Sequence, residues 1–196
     1  MVRVSQDNLV TGAIANKPVS FPTDTVPALA IKPKLGDRLY QIKQRPRDKP
    51  LILMGASIAD LLPYTIYTAE DLAAWQKLIQ QYLPGALTLV LPASKRVPNA
   101  IDPTRSNTVG IRVPDSSIAR QILQQTGVLA TTSANISGTE TLTSLAAIAQ
   151  TFPDVLVLED ADITDKEKIG SGMPSTVVRW QDRQWKILRQ GSIKIS

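Results

Sequence analysis

The sequence predicts an α/β domain built around a mixed sheet. Short apolar segments, several of them rich in valine and isoleucine, alternate with segments whose apolar residues recur at helical spacing. The two kinds of segment interleave without a strict strand–helix repeat, which favours a sheet with both parallel and antiparallel neighbours. A length of 196 residues suits one sizeable core and is short for two, so we expect a single domain over residues 1–196.

The first half of the chain begins with an amphipathic helix that Pro18 ends. The turn Pro22-Thr23-Asp24-Thr25 then separates two extended segments, and a basic loop separates a helix from an apolar strand. The expected elements are a helix over 5–16, strands over 19–21 and 28–31, a helix over about 37–44 and a strand over 51–54.

The second half contains the most regular helical pattern. Leu72, Trp75, Leu78, Ile79 and Tyr82 follow helical spacing, so a core-facing helix is expected over 69–82, with Trp75 in the core. The elements expected after it are strands over 86–91, 108–113, 128–132 and 155–158, helices over 116–125 and 144–150, and a hairpin of 175–180 with 185–188. Residues 160–174 are the best candidate for a mobile surface loop.

Two residue types are missing, and their absence excludes several classes of enzyme. The chain has no cysteine and no histidine, so a Ser-His-Asp triad, a cysteine nucleophile and the usual zinc sites are excluded. No apolar run is long enough for a membrane span and the first residues do not form a secretory signal. We therefore expect a cytoplasmic protein whose chemistry uses cations, hydroxyls and amides.

Positive charge is concentrated in one region. Residues 32–49 hold seven bases and two acids, and this difference of +5 equals the formal net charge of the whole chain. The segment Lys43-Gln44-Arg45-Pro46-Arg47-Asp48-Lys49-Pro50 is its densest part. A solvated charge run beside a helix C-terminus is one interpretation. The other is a stiff, proline-bounded loop that holds cations for a polyphosphate.

Two polar turns follow apolar strands. Thr131-Thr132-Ser133-Ala134-Asn135-Ile136-Ser137-Gly138 ends one strand, and Pro22-Thr23-Asp24-Thr25 ends another. Such residues commonly only cap turns. However, α/β sheets also place ligands at the carboxyl ends of strands, and the second turn has groups that could hold the amine and hydroxyl of an amino acid.

The arrangement of these segments resembles the YrdC family. Lys43-x-Arg45 followed by Ser133-x-Asn135 is similar to the K-x-R and S-x-N pattern of that family. Further similar stretches, in the same order, are FPTDTV (21–26), DKPLIL (48–53), PGALTLVLP (84–92), TVGIRVP (108–114), TSANISG (132–138), PSTVV (174–178) and ILRQGSI (187–193). Each is weak alone, but together they cover nearly the whole chain.

The resemblance implies a YrdC-like fold, a twisted mixed parallel and antiparallel sheet flanked by helices with a basic concave face. It also implies a threonylcarbamoyl-AMP synthase, a nucleotidyltransferase that makes L-threonylcarbamoyladenylate and pyrophosphate from L-threonine, bicarbonate and ATP. The product would serve threonylcarbamoyladenosine modification of tRNA, through downstream transfer proteins. Mg²⁺ is expected to arrive with ATP, without a dedicated protein metal site.

The resemblance also assigns residues to roles. The catalytic set is Lys43, Arg45, Ser133 and Asn135. The ATP-binding set is Arg45, Lys49, Ser133, Asn135, Thr141 and Arg189, with Lys43 also near the phosphates. The threonine-binding set is Thr23, Thr108, Arg112, Thr131 and Ser175. Arg112 is the natural partner for the carboxylate of threonine.

Two other functions remain open on the sequence alone. A YrdC-like fold with a basic hollow could bind double-stranded RNA or tRNA through phosphate contacts without chemistry. The other hypothesis is a stand-alone relative of the carbamoyl-adenylate domain in hydrogenase-maturation carbamoyltransferases. Threonine-dependent pyrophosphate release distinguishes a threonylcarbamoyl-AMP synthase from both of these alternatives.

Overall fold

The computed structural model of the chain describes residues 3–159 and 170–195. One sheet runs through this part of the chain, and its strands are β1 (Arg3–Val4), β2 (Val19–Phe21), β3 (Ala28–Ile31), β4 (Ile52–Met54), β5 (Leu87–Pro92), β6 (Thr108–Arg112), β7 (Leu129–Ser133), β8 (Leu156–Leu158), β9 (Thr176–Gln181) and β10 (Gln184–Arg189). The α-helices are α1 (Gln6–Ile14), α2 (Gly36–Lys43), α3 (Ile58–Leu61), α4 (Ala69–Tyr82), α5 (Ser117–Thr126) and α6 (Leu145–Thr151). Short 3-10 turns cover Pro33–Leu35 and Leu62–Tyr64. Each helix of the described segments is too short or too polar to cross a bilayer.

The sheet is mixed, as predicted. Its strand order is β1-β8-β2-β3-β7-β4-β6-β5-β9-β10. Strand β8 pairs in parallel with β1 and β2, and the pairs β4–β6 and β5–β9 are also parallel. The remaining neighbours are antiparallel. The fold class expected from interleaved strands and helices is therefore confirmed.

Alternating residues divide the strands between two faces. Leu29 and Ile31 of β3, Leu53 of β4 and Leu89 of β5 belong to the larger buried cluster, together with residues of α2, α4 and α6. Because side chains alternate along a strand, the intervening residues point the other way. Helices α2, α4 and α6 cover this first face over the central strands, and burying each such leucine contributes about 2 kcal/mol.

The second face is covered only in part. A smaller cluster joins Leu9 and Ala13 of α1 and Ile122 of α5 to Ala28, Ala30 and Met54 on this face. The cluster contains no residue of β5, β6, β9 or β10. Among the described residues, no helix of this cluster therefore covers the half of the second face over those four strands.

Most elements predicted from the sequence are present with shifts of one or two residues. Strands β2 and β3 and helix α4 match their predicted limits. Trp75 is fully buried, with Tyr67 and Trp180 edge-on to its ring. Aromatic pairs in this edge-to-face geometry stabilise the fold by more than the burial of their surface alone.

Three features differ from the prediction or lie outside it. Strand β1 has only two residues and helix α3 only four, so neither leaves a periodic pattern in the sequence. A capping box between Ser57 and Asp60 starts α3. Most of the loop predicted over 160–174 lies outside the described residues, which resume at Gly170.

Candidate active site

A cavity of about 150 Å³ opens on the second face at the edge of the helical cover. Pro50, Ile52 and Met54 line it, and as every second residue they come from one side of β4 and its approach. The other lining residues are Thr25, Val26, Pro27, Ala28, Arg45, Arg112, Thr131, Thr132, Ser133, Pro174, Ser175 and Arg189. The sequence predicted a site at the ends of the strands. The cavity also includes residues within the strands, so it lies partly on the face of the sheet.

Arg112, the last residue of β6, is the most deeply buried of the three arginines that line the cavity. It is only 4% exposed, and its guanidinium donates from Nε to the carbonyl oxygen of Gly85 at 3.1 Å and from Nη1 to Thr25 Oγ1 at 2.7 Å. The third bond runs from Nη2 to Asp24 Oδ1 at 2.5 Å. Burial lowers the pKa of Arg112, while the charge of Asp24 opposes that shift. The N–H groups not used in these bonds are available to an anionic ligand.

The turn Pro22-Thr23-Asp24-Thr25, which we call the Asp24 turn, contains two threonines whose hydroxyls have different partners. Thr23 Oγ1 donates to the carbonyl oxygen of Val26 at 2.7 Å and accepts from the backbone N–H of Thr25 at 3.2 Å. Of the two, Thr25 lines the cavity, and Thr23 does not. The hydroxyl of Thr23, predicted to contact threonine, is therefore engaged in holding the turn. Thr25, which the prediction omitted, sits beside the cavity and beside Arg112.

The K-x-R and S-x-N segments meet at Lys43. Lys43 Nζ donates to Ser133 Oγ at 3.0 Å, to Asn135 Oδ1 at 2.9 Å and to the carbonyl oxygen of Ser133 at 2.5 Å. Asn135 Nδ2 in turn donates to the carbonyl oxygens of Ile136 and Thr139, both at 2.8 Å. Lys43 is 1% exposed. The ammonium therefore forms part of the wall behind Ser133, which itself lines the cavity.

The environment of Lys43 changes its acidity. Burial, and to a lesser extent the neighbouring positive charge of Arg45, lowers the pKa of Lys43 to about 7. An ammonium in this position changes its charge near neutral pH. An anion that entered the cavity would favour the charged form.

Arg45 closes the basic loop and reaches the cavity. Its Nε donates to the carbonyl oxygen of Lys49 at 2.8 Å and its Nη2 to that of Pro50 at 2.9 Å. These bonds fix the guanidinium by its own loop, as the prolines of the segment suggested. Burial lowers the pKa of Arg45, and the side chain lines the cavity. Arg47 instead pairs with Asp37 at 2.8 Å on the exposed surface.

Arg189, at the end of β10, approaches from the opposite side. Its Nε and Nη2 donate to the carbonyl oxygen of Ser175 at 3.1 and 2.9 Å. Ser175 Oγ in turn lies 2.8 Å from Thr88 Oγ1. Burial and then the charge of Arg45 lower the pKa of Arg189, and both guanidinium side chains line the cavity.

The cavity has a cationic wall with an unpaired hydroxyl in it. Among the lining residues there are three arginines and no acid, and Asp24 is engaged with Arg112. Thr131 Oγ1 is buried and has no hydrogen-bond partner within the described residues. Since buried polar groups are normally paired, this hydroxyl is available to a ligand in the cavity.

Besides Thr23 and Asn135, three further predicted binding residues are not among the residues that line the cavity. Thr108 begins β6, at the opposite end from Arg112, and its hydroxyl lies 2.7 Å from Ser106 Oγ. Thr141 lies in the loop before α6, and Lys49 is exposed. None of them is among the described residues that line the cavity. The cavity residues that the prediction missed are mostly apolar: Val26, Pro27, Ala28, Pro50, Ile52, Met54 and Pro174.

Comparisons with known proteins agree with this architecture. The model of the Sua5/YciO/YrdC family, described as telomere recombination, matches residues 14–191. A threonylcarbamoyl-AMP synthase of Bacillus subtilis (strain 168) is 35% identical over 185 residues, which are 91% of this chain and 51% of that protein. The chain thus spans about half the length of that relative. A threonylcarbamoyl-AMP synthase of Hydrogenovibrio crunogenus is 32% identical over 87% of this chain and 89% of its own.

Solved structures show the same fold. The crystal structure of P. abyssi Sua5 complexed with L-threonine has a TM-score of 0.82 and 30% identity, covering 96% of this chain and 55% of that one. The crystal structure of E. coli YciO has a TM-score of 0.79 at 22% identity, covering 97% and 92%. The second likeness concerns the fold alone.

Proposed function

Because the chain belongs to the Sua5/YciO/YrdC family, we propose that it is a threonylcarbamoyl-AMP synthase. The reaction joins L-threonine, bicarbonate and ATP into L-threonylcarbamoyladenylate and releases pyrophosphate, which makes the enzyme a nucleotidyltransferase. The observation that carries the proposal is the convergence of Arg45, Arg112 and Arg189 on one cavity. The relatives' names and the threonine complex of P. abyssi Sua5 support it.

In this proposal the lining residues divide into two sets, one for each substrate. Arg112, Thr25 and the unpaired hydroxyl of Thr131 suit the carboxylate and the hydroxyl of threonine. Arg45 and Arg189 suit a polyanion such as a triphosphate, because the positive charge of Arg45 acts on Arg189 and no acid is among the described lining residues. Ser133, held by Lys43 and Asn135, lies between the loop of Arg45 and Thr131.

The residues present suit a reaction that needs no covalent enzyme intermediate. Bicarbonate takes up a proton and loses water to give carbon dioxide. The amine nitrogen of threonine bonds to this carbon and releases a proton, which gives a carbamate. A carbamate oxygen then bonds to the α-phosphorus of ATP as the bond from that phosphorus to pyrophosphate breaks. Bicarbonate, the carbamate, ATP and pyrophosphate are all anionic, so the work of the protein is to position the groups and to neutralise charge. Arginine, lysine, hydroxyl and amide groups are enough for this work.

Mg²⁺ would enter this cavity together with ATP. The described residues contain no group of three or more acidic side chains arranged to hold a metal ion, and Asp24 is bonded to Arg112. We therefore propose that phosphate oxygens would supply most of the ligands of this hard cation. When bound, the ion would neutralise phosphate charge in addition to the arginines.

Pyrophosphate release by the purified protein tests the proposal. With Mg·ATP and bicarbonate present, adding L-threonine is expected to start release, and Arg45→Ala is expected to reduce it about a hundredfold or more. Arg47→Ala is the matched control, because this neighbouring arginine pairs with Asp37 at the surface. Wild-type protein without threonine-dependent release, or equal activity of the Arg45 and Arg47 variants, would contradict the proposal. RNA binding without release would support the non-catalytic alternative.

A further inference from the structure

The segment Gly170–Ser175, which we call the strap, crosses behind the Asp24 turn. The backbone N–H of Ser171 donates to the carbonyl oxygen of Asp24 at 3.0 Å, and that of Gly172 to the carbonyl oxygen of Thr25 at 2.8 Å. A β-carbon on Gly170 would lie 2.3 Å from the carbonyl oxygen of Thr23 and 2.6 Å from that of Thr25. Gly170 also has a φ of +70°, in the left-handed region. Only glycine lets the strap approach the turn this closely.

The other end of the strap is pressed against the chain after β10. A β-carbon on Gly191 would lie 2.3 Å from the carbonyl oxygen of Pro174 and 2.6 Å from the carbonyl carbon of Ser175. The backbone N–H of Gly191 donates to Thr176 Oγ1 at 2.9 Å. The strap is therefore fixed at both ends by close contacts at a glycine.

Each end of the strap supports a different arginine. At the first end, Asp24 and Thr25 accept hydrogen bonds from Arg112. At the second end, the carbonyl oxygen of Ser175 accepts two hydrogen bonds from Arg189. The bonds between arginine and strap or turn hold both guanidinium groups in place, so the strap sets the position of one relative to the other.

We propose that the strap is a positioning element that sets the spacing between the amino-acid site at Arg112 and the phosphate site at Arg189, with Gly170 and Gly191 as its two positioning residues. The inference rests on the proposed function, since it assigns one substrate to each arginine. A shift at Gly170 moves the Asp24 turn and thereby Arg112. A shift at Gly191 moves Ser175 and thereby Arg189.

Two alanine substitutions separate the ends in one assay. Gly170→Ala is expected to raise the KM for threonine about tenfold or more and to leave the KM for ATP within about twofold. Gly191→Ala is expected to raise the KM for ATP about tenfold or more, and to raise the KM for threonine less, because Ser175 also lines the cavity. Pyrophosphate release is measured while each substrate is varied at a saturating concentration of the other.

Gly127→Ala is the matched control for backbone conformation. Gly127 has a φ of +73°, close to that of Gly170, but a β-carbon there would meet no atom within 4 Å. The control is expected to lose thermal stability like Gly170→Ala but to keep both KM values. Equal rises of both KM values in either strap variant, or a threonine KM that rises equally in the Gly127 variant, would overturn the proposal.

A milder variant covers the case in which Gly170→Ala does not fold. Ser171 Oγ accepts from the backbone N–H of Met173 at 3.2 Å inside the strap, and Ser171→Ala removes this bond without adding an atom. Its threonine KM is expected to rise about twofold or more, with an unchanged ATP KM. An unchanged threonine KM would overturn the inference while wild-type activity leaves the proposed function standing. Inactive wild-type protein would overturn both.

Discussion

At the scale of single residues, the site combines buried cations with neutral acceptors. The ammonium of Lys43 contacts two oxygens of Ser133 and one of Asn135, and none of these carries a charge. Burial and then the charge of Arg45 lower the pKa of Lys43 to about 7, and no carboxylate of the described residues opposes this shift. Binding of an anion in the cavity supplies the missing negative charge.

Nucleotide binding is accordingly expected to take up a proton. Bound triphosphate raises the pKa of Lys43 above its free value of about 7. At about pH 8 the free protein holds this site mostly deprotonated, so binding takes up a proton and ATP affinity falls as the pH rises from about 7 to about 9. Calorimetry in buffers of different ionisation enthalpy measures the uptake. Lys43→Met is expected to abolish it, and an uptake that persists in this variant would contradict the assignment.

The Arg112–Asp24 pair permits a test that separates stability from binding. Arg112→Ala leaves Asp24 without its ion-pair partner in a setting where the two side chains are 5% and 15% exposed, and is expected to cost about 3 kcal/mol of unfolding free energy. The double variant Arg112→Ala/Asp24→Ala removes the unpaired charge and should recover part of this loss without restoring threonine binding. Urea unfolding and threonine calorimetry give the two quantities. Recovery of threonine binding in the double variant would contradict the role of Arg112.

The sequence predicted well which segments of the chain meet at the cavity, but less well which side chains of those segments line it. Lys43, Arg45, Ser133, Arg112, Thr131, Ser175 and Arg189 all meet at or directly behind the cavity, as expected if their segments converge. The structure places Thr25, and not Thr23, in the cavity lining. The sequence could not predict this, because both hydroxyls lie in one turn and only the folded geometry decides which of them bonds to Val26. The apolar lining residues carry no chemical signal that distinguishes them from core residues.

At the scale of elements, local signals account for the accuracy of the helix prediction. Helix α4 starts at a capping box in which Thr68 Oγ1 accepts from the backbone N–H of Asp71 at 3.1 Å and Asp71 Oδ2 accepts from that of Thr68 at 3.1 Å. The helix then ends before Pro84-Gly85, so residues next to the helix determine both of its limits. Strand β1 is different, since its two residues become a strand only by pairing with the distant β8.

Removing the cap is expected to lower stability without affecting activity. Thr68→Ala loses the hydroxyl acceptor and should cost about 1 kcal/mol, which corresponds to a fall in Tm of about 2–4 °C for a chain of this size. Thr68→Ser keeps the hydroxyl and is the matched control, expected to remain close to wild type. Thermal unfolding and pyrophosphate release are the measurements. A loss of activity at temperatures where Thr68→Ala remains folded would show that α4 acts on the site.

At the scale of the whole molecule, bound substrate is expected to stabilise the fold. Arg45 follows α2, Arg112 ends β6 and Arg189 ends β10, so a ligand that contacts all three connects distant parts of the chain. ATP at about a hundred times its Kd should stabilise the fold by about 2.7 kcal/mol, or roughly 5–11 °C in Tm. Differential scanning fluorimetry with Mg·ATP checks this. Arg189→Ala should show a much smaller shift at the same ATP concentration, and an undiminished shift would place the nucleotide elsewhere.

The alternation along β4 has a consequence for changing the specificity of this protein. Ile52 and Met54 line the cavity, whereas Leu53 between them is fully buried in the opposite core. Position 53 of this strand therefore serves the packing of the larger buried cluster, whereas positions 52 and 54 shape the pocket. A combinatorial library restricted to Pro50 and Ile52 can reshape the pocket while both buried clusters keep their residues, whereas Met54 also belongs to the smaller cluster. Deleting one residue from the same strand would exchange the two sets and disrupt both.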